Sequence, residues 1–197
     1  MSEAGSAAAG SPGRPLVRWR VGPALVLALV LAVVVFGGYL VAAALETPSG
    51  APVAVGGTVA VQPLSGWEVE EPFTTADSEG IGLTRGTGNL DVLVTAPTSG
   101  GLVELSAGYV DRVLEPQAQR LSVSPELQPV ELADGRGAAR FGYVGVFGRG
   151  STPIEGEVTV TVASNGAGVI FDAWAPQGQL PFTLPDIHAM QSSARLV

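Results

Sequence analysis

The chain holds one histidine, His188, and no cysteine or lysine, so any chemistry it performs must come from carboxylates, hydroxyls and arginine. Asp186 stands two residues before His188 and Ser192 four after it, with Ser193 next, which invites a Ser–His–Asp reading. On a helix, however, residues two apart point about 200° away from each other, so Asp186 and His188 cannot meet. Ser192 falls on the side of His188, but a catalytic serine also needs oxyanion donors and a strained position. His188 is therefore expected as a helix residue at the surface or rim. Glu104, Asp111 and Glu115 raise a second option, a carboxylate pair for glycoside hydrolysis. They share the polar side of one amphipathic pattern, which is the ordinary place for solvated acids.

Metal chemistry fares no better. Transition metals favour clusters of Cys and His, which this chain lacks. Glu68, Glu70, Glu71, Asp77 and Glu79 form an acidic run without the ligand spacing of a calcium loop, and charge on an edge strand discourages edge-to-edge pairing. Arg85-Gly86-Thr87-Gly88-Asn89 resembles a phosphate loop only in its glycines. It lacks the Lys and Ser/Thr of a P-loop, and strands are predicted on both sides, so a hairpin turn is expected. No residue of the sequence is therefore expected to be catalytic, cofactor-binding or metal-ligating. Of the aromatic residues Trp67, Phe141, Tyr143, Phe147, Phe171 and Trp174, most are expected in the core. Trp174 has the opposite parity to Phe171, so one of the two should face a second layer or solvent.

The elements that would position these residues are mostly strands. Thr58–Gln62, Trp67–Glu70, Ile81–Arg85 and Leu90–Thr95 read as strands, followed later by Pro129–Leu132 and Gly137–Phe147 around Asp134-Gly135. Val158, Val160 and Val162 alternate with Thr159 and Thr161, and Asn165-Gly166 then turns the chain into Val169–Ala175, the clearest hairpin signal present. Phe141, Tyr143 and Phe147 share a face, and Gly142 and Gly145 suggest a bend or bulge. Two helices are predicted. Gly101–Glu115 has Leu102, Leu105, Tyr109 and Val113 at helical spacing, with Ser99 as N-cap and Pro116 as terminator; Leu184–Ser193 has Thr183 as N-cap and Pro185 in the first turn.

Upstream lies a different kind of segment. No Asp, Glu, Arg or His occurs between Val21 and Leu45. A helix over Ala24–Leu45 would rise about 33 Å, enough for a hydrocarbon core of about 30 Å. Arg14, Arg18 and Arg20 precede this stretch and Glu46 follows it, so the positive-inside rule predicts a cytoplasmic N-terminus. The expected organisation is a disordered cytoplasmic tail over 1–20, a transmembrane helix over 21–45, a linker over 46–57 rich in Pro and Gly, and an extracytoplasmic domain over 58–197. The plasma membrane, entered once, is the expected location. Cleavage after Ala42-Ala43-Ala44 remains the alternative, although the apolar run is longer than that of a usual signal peptide. Of 18 acidic and 10 basic residues, only Glu3 but three of the arginines precede residue 46, so the outer domain carries the whole negative excess. Such a surface repels nucleic acid backbones, and nucleic acid is excluded as a partner on that ground.

Taken in order, Gly66-Trp67 at a strand start, the hairpin at Ile81–Thr95, a helix ending near Glu115 and the run Asp134–Tyr143 make a pattern. Val158–Val162, Val169–Ala175 and a last helix with Ile187, Met190 and Ser192 complete it. This resembles the PsbP-like family across roughly residues 58–197. The lack of Lys and abundance of Ala, Gly, Val and Pro suit a member from a GC-rich genome of actinobacterial type. The resemblance implies an α+β domain, an antiparallel sheet covered by helices in an αβα sandwich. The fold is shared by a photosystem extrinsic subunit, a Ran-binding import factor and bacterial envelope proteins, which act mainly as binding or assembly modules without catalysis. No family binding residue can be matched onto this chain. The function expected is therefore that of a membrane-anchored binding or assembly module with no cofactor, its partner a protein or another envelope component. The alternatives are a small-ligand or lipid carrier using the space between sheet and helices, and a hydrolase using Glu104 or Asp111.

Overall fold

A computed structural model describes residues 50–75, 77–148 and 152–196. The tail expected over 1–20 and the membrane span expected over 21–45 lie outside the described residues. Among the described residues, no helix is long and apolar enough to cross a membrane.

A nine-stranded, wholly antiparallel sheet forms the centre. Its path runs β3 (Glu68–Val69), β5 (Ser78–Arg85), β6 (Gly88–Pro97), β11 (Ala167–Pro176), β10 (Ile154–Val162), β9 (Gly137–Phe147) and β7 (Ala118–Val123). Two short strands complete it, β4 (Phe73–Thr74) on β5 and β8 (Gln128–Glu131) on β9. A second sheet joins β1 (Val53–Val55), β2 (Val59–Val61) and β12 (Arg195–Leu196). The stretch expected to be linker thus contributes a strand, and Val55 is buried. Its Pro and Gly residues masked a Val-Ala-Val alternation that pairs with the next one.

Side-chain parity divides the interior into two cores. On β11, Val169, Phe171, Ala173 and Ala175 point to one side, where they join Ile81, Leu83, Leu90 and Val92, the valines of the small sheet, and Ile187 and Met190 of α3 (Leu180–Ser193). Ile170 points to the other, with Leu93, Val158, Val160, Phe141 and Tyr143, beneath Leu105 and Tyr109 of α1 (Gly101–Tyr109). Each large apolar side chain so buried contributes about 1.5–3 kcal/mol. The helices therefore lie on opposite faces of the sheet, and the fold is an α+β sandwich of the expected type.

Several boundaries move. The helix begins after Gly100, not on a Ser99 cap, and no side chain caps it. Beyond Tyr109 it widens into a π-helical segment, Val110–Leu114, before a last turn α2 (Glu115–Gln117), so Pro116 lies within that turn and the helix ends one residue later. α3 starts at Leu180 with a proline in its first turn, leaving Thr183 inside the helix, where its hydroxyl donates to the Leu180 carbonyl at 3.1 Å. β9 itself pairs with β10 without a break, and the irregularity expected at Gly142 and Gly145 falls instead in its other neighbour, β7, between Ala118 and Arg120. The Gly86-Thr87 turn is a two-residue hairpin loop in which only Gly86 has positive φ, +61°, as a type II′ turn demands.

Candidate binding cleft

Two carboxylic acids face each other across the centre of the sheet. Asp91 on β6 and Asp172 on β11 are direct antiparallel partners, so both project toward the α1 face. Like charges directly opposite on a sheet are unfavourable, and the surroundings show how the pair is accommodated. The Tyr109 hydroxyl donates to Asp172 Oδ2 at 2.6 Å, and the Tyr143 hydroxyl donates to Asp172 Oδ1 at 3.0 Å. Trp174 Nε1–H donates to Asp91 Oδ2 at 2.9 Å. Burial pushes the Asp172 carboxyl up to about 7, opposed by the tyrosine hydrogen bonds and aided by the Asp91 charge. Burial likewise raises Asp91, and the nearby Glu70 charge adds to the rise. Both tyrosines are pushed well above the ordinary phenol range, first by burial and then by the Asp172 charge.

Glycines make room for this arrangement. Gly156 on β10 lies opposite both Tyr143 and Trp174. A Cβ at Gly156 would stand 2.2 Å from the Tyr143 ring, so its absence lets that ring lie across β10 toward Asp172. Gly82, opposite Asp91, plays the same part on the other side: a Cβ there would be 2.7 Å from Glu70 Oε2 and 3.4 Å from Asp91 Oδ1.

Above the acid pair the helix stands off from the sheet. One cavity of about 400 Å³ lies among Phe73, Leu93, Leu105, Gly108, Arg112 and Ile170, and a second of about 230 Å³ lies among Leu114, Tyr143, Phe147, Ile154, Asp172 and Trp174. Asp91, Tyr109, Val113 and Gln117 line both, so the two form one cleft with the acids on its floor. Two features of the helix open it. Gly108, which costs about 1 kcal/mol relative to Ala inside a helix, presents no side chain to the cleft. The π-helical segment, a rare geometry frequently found at functional sites, carries Val113 and Leu114 to its wall.

The residues singled out by sequence go elsewhere. Glu104, Asp111 and Glu115 are exposed and line neither cavity, so they are not placed in a cleft as a hydrolase reading would require. His188 lies on the opposite face of the sheet, with Nε2 2.6 Å from Glu157 Oε1. Asp186 turns away from it to pair with Arg85 and accept the Trp67 indole N–H at 3.2 Å, while Ser193 donates to the Met190 carbonyl. Arg85 also sits 5.8 Å from the centre of the Trp67 ring. Among the described residues no three acidic or histidine side chains gather to hold a metal ion. Asp91 and Asp172 were missed because each hides in an apolar run. The available signal was a lone acid in Leu90-Asp91-Val92 and in Phe171-Asp172-Ala173, at positions whose parity becomes meaningful only when the two strands are known to be neighbours.

The fold is PsbP-like, and three solved structures share it. Cyanobacterial PsbP from Synechocystis aligns at a TM-score of 0.52 and 14% identity, over 78% of this chain and 99% of its own. LpqN of Mycobacterium tuberculosis, described as involved in cell envelope biogenesis, aligns at 0.51 and 14%, over 77% and 90%. The Ran-binding protein Mog1p of Saccharomyces cerevisiae aligns at 0.50 and 10%, over 77% and 97%. No protein-family model and no curated protein matches the sequence.

Proposed function

We propose that this chain is a membrane-tethered, extracytoplasmic binding module that works without catalysis and receives its ligand or partner in the cleft beneath α1. The cleft carries the reading: an apolar hollow with a few convergent polar groups is the usual form of a binding site. A cluster of shifted acids and tyrosines is also a feature of active sites, but here Asp172 and the two tyrosines are committed to one another. Both Asp172 oxygens accept from tyrosines, and the chain has no Cys or Lys to act as nucleophile. The roles attached to the similar structures, envelope biogenesis for one and Ran binding for another, agree with a binding module. The apolar stretch over 21–45 and the arginines before it support a tether with the domain outside.

A photo-crosslinking residue at Val113, inside the cleft, tests the site in the full chain in native membranes. Adducts are expected at Val113 and not at Val144, which is exposed on the other face of β9, and Gly108→Leu should remove them. Equal labelling at the two positions would refute the cleft as the contact. Orientation is tested by protease treatment of intact cells carrying tags at both ends: only the C-terminal tag should be lost. The second reading, a carrier of small molecules, is favoured specifically by the cavity volume of about 400 Å³.

A further inference from the structure

We propose that the cleft binds a small molecule with a protonated amine on an apolar body, the ammonium group seated at Asp91. This rests on the reading of the cleft as a binding site and adds the chemistry of its occupant.

The hydrogen-bonding groups on the floor are unequally supplied with partners. The donors are the Tyr109 and Tyr143 hydroxyls and the Trp174 N–H, and all three are already directed at carboxylates. The floor itself is left with acceptor capacity, above all Asp91 Oδ1, to which no side chain among the described residues donates, while the Gln117 amide lines both cavities from the helix side. The Glu70 carboxylate lies beside that oxygen over Gly82. No Arg or His pairs with Glu70, Asp91 or Asp172 among the described residues. Among the described residues Arg112 is the one cation lining the larger cavity; its Nε donates to the Gly108 carbonyl and it pairs with Asp77 at 3.9 Å. A ligand must therefore bring donors and positive charge to this floor. An anion would meet the Asp91 and Asp172 carboxylates, with Glu70 close to Asp91, and a neutral alcohol would leave the charge uncompensated.

The rest of the cleft sets the remainder of the molecule. Phe73, Leu93, Leu105 and Ile170 line the larger hollow, whose volume suits a small organic body. Ligand charge and site charge are linked through protons. Asp91 and Asp172 both hold their protons more tightly than free carboxylic acids. Where the pair holds its protons an ammonium gains little; as pH rises through the Asp172 value of about 7 the ionised floor attracts it. Glu70, Asp77 and Arg112 are the other ionisable side chains around the rim, and burial keeps Tyr109 and Tyr143 neutral.

The test uses the full chain in nanodiscs of zwitterionic lipid, with empty discs as the blank for membrane partition. Phenylbutylamine, phenylbutanol and phenylbutyrate, matched in shape, are titrated by calorimetry and by saturation-transfer NMR. The amine should bind at least about tenfold more tightly than the other two, a difference of about 1.4 kcal/mol. Asp91→Asn should abolish that preference, and in the unaltered chain the affinity of the amine should fall about tenfold or more from pH 8 to pH 5. Asp91→Asn keeps an oxygen for the Trp174 N–H, and Gly108→Leu, which closes the cleft without touching the acids, should remove binding of the amine in a second, independent way. Equal binding of amine and alcohol, both lost in Gly108→Leu, would overturn the ammonium class and leave the cleft as a site. No binding of any of the three, or binding indifferent to Gly108→Leu, would overturn the class and the cleft together. Binding only of a lysine-bearing peptide would overturn the small-molecule occupant in favour of a protein.

Discussion

At Gly156 the difference between a hydrogen atom and a methyl group decides whether Tyr143 reaches Asp172. Gly156→Ala places a Cβ 2.2 Å from the ring, so the ring must leave and its hydrogen bond must break. We expect a loss of about 2–4 kcal/mol in urea unfolding, from overpacking and an unsatisfied buried acid together. The same substitution on a Tyr143→Leu background should lose at least about 1 kcal/mol less, because the two positions are coupled. Asp172 makes a second prediction through pH. Its folded value is pushed up to about 7, above an unfolded value of about 3.9. The native state therefore binds the proton more tightly, and its contribution to stability is fully present below about pH 4 and lost as pH rises toward 7. Asp172→Asn should remove that part of the decline, seen as a shrinking difference between the two melting profiles at low pH. A third residue-scale test concerns Asp186. Replacing it with Ala strands the Arg85 guanidinium and the buried Trp67 N–H, which should cost about 1–3 kcal/mol in chemical unfolding, whereas Asn should cost less.

At the scale of elements, α1 is shaped by its neighbours more than by its own sequence. Gly108→Ala should raise the melting temperature, by up to about 1 kcal/mol of stability, because the added Cβ meets only the mobile end of Arg112, at 2.7 Å. A fall in stability would show that the glycine is needed for packing instead of for space. What was legible in the sequence also sorts by element. The β10–β11 hairpin announced itself through Val158, Val160, Val162 and Asn165-Gly166, since period and turn agree there. β7 did not, because Ala118-Gln119-Arg120 carries no alternation and a bulge interrupts its register. The π-helical segment was equally silent: Val110–Leu114 is an ordinary helical composition, and only its packing over the cleft distinguishes it. The acid pair required knowing that β6 and β11 are neighbours, which no local pattern encodes.

At the scale of the molecule, the sheet serves its two faces differently. One face is packed by α3 and the small sheet around Phe171, Ile187 and Met190, all almost inaccessible to solvent. The other leaves a hollow over its polar centre. The order of strands has a consequence for how this protein comes into being. β6 ends at Pro97 and its neighbour β11 begins at Ala167, so the contact that joins Asp91 to Asp172 closes a very long loop. Pairings so distant along the chain are slow to form. A chain emerging from the ribosome through β10 has made the other walls of the hollow and still lacks the part of its floor that β11 supplies, Ile170, Asp172 and Trp174. Binding competence thus arrives in a single late event, after the last long strand has been synthesised, and a truncated or stalled chain would be mute toward the ligand.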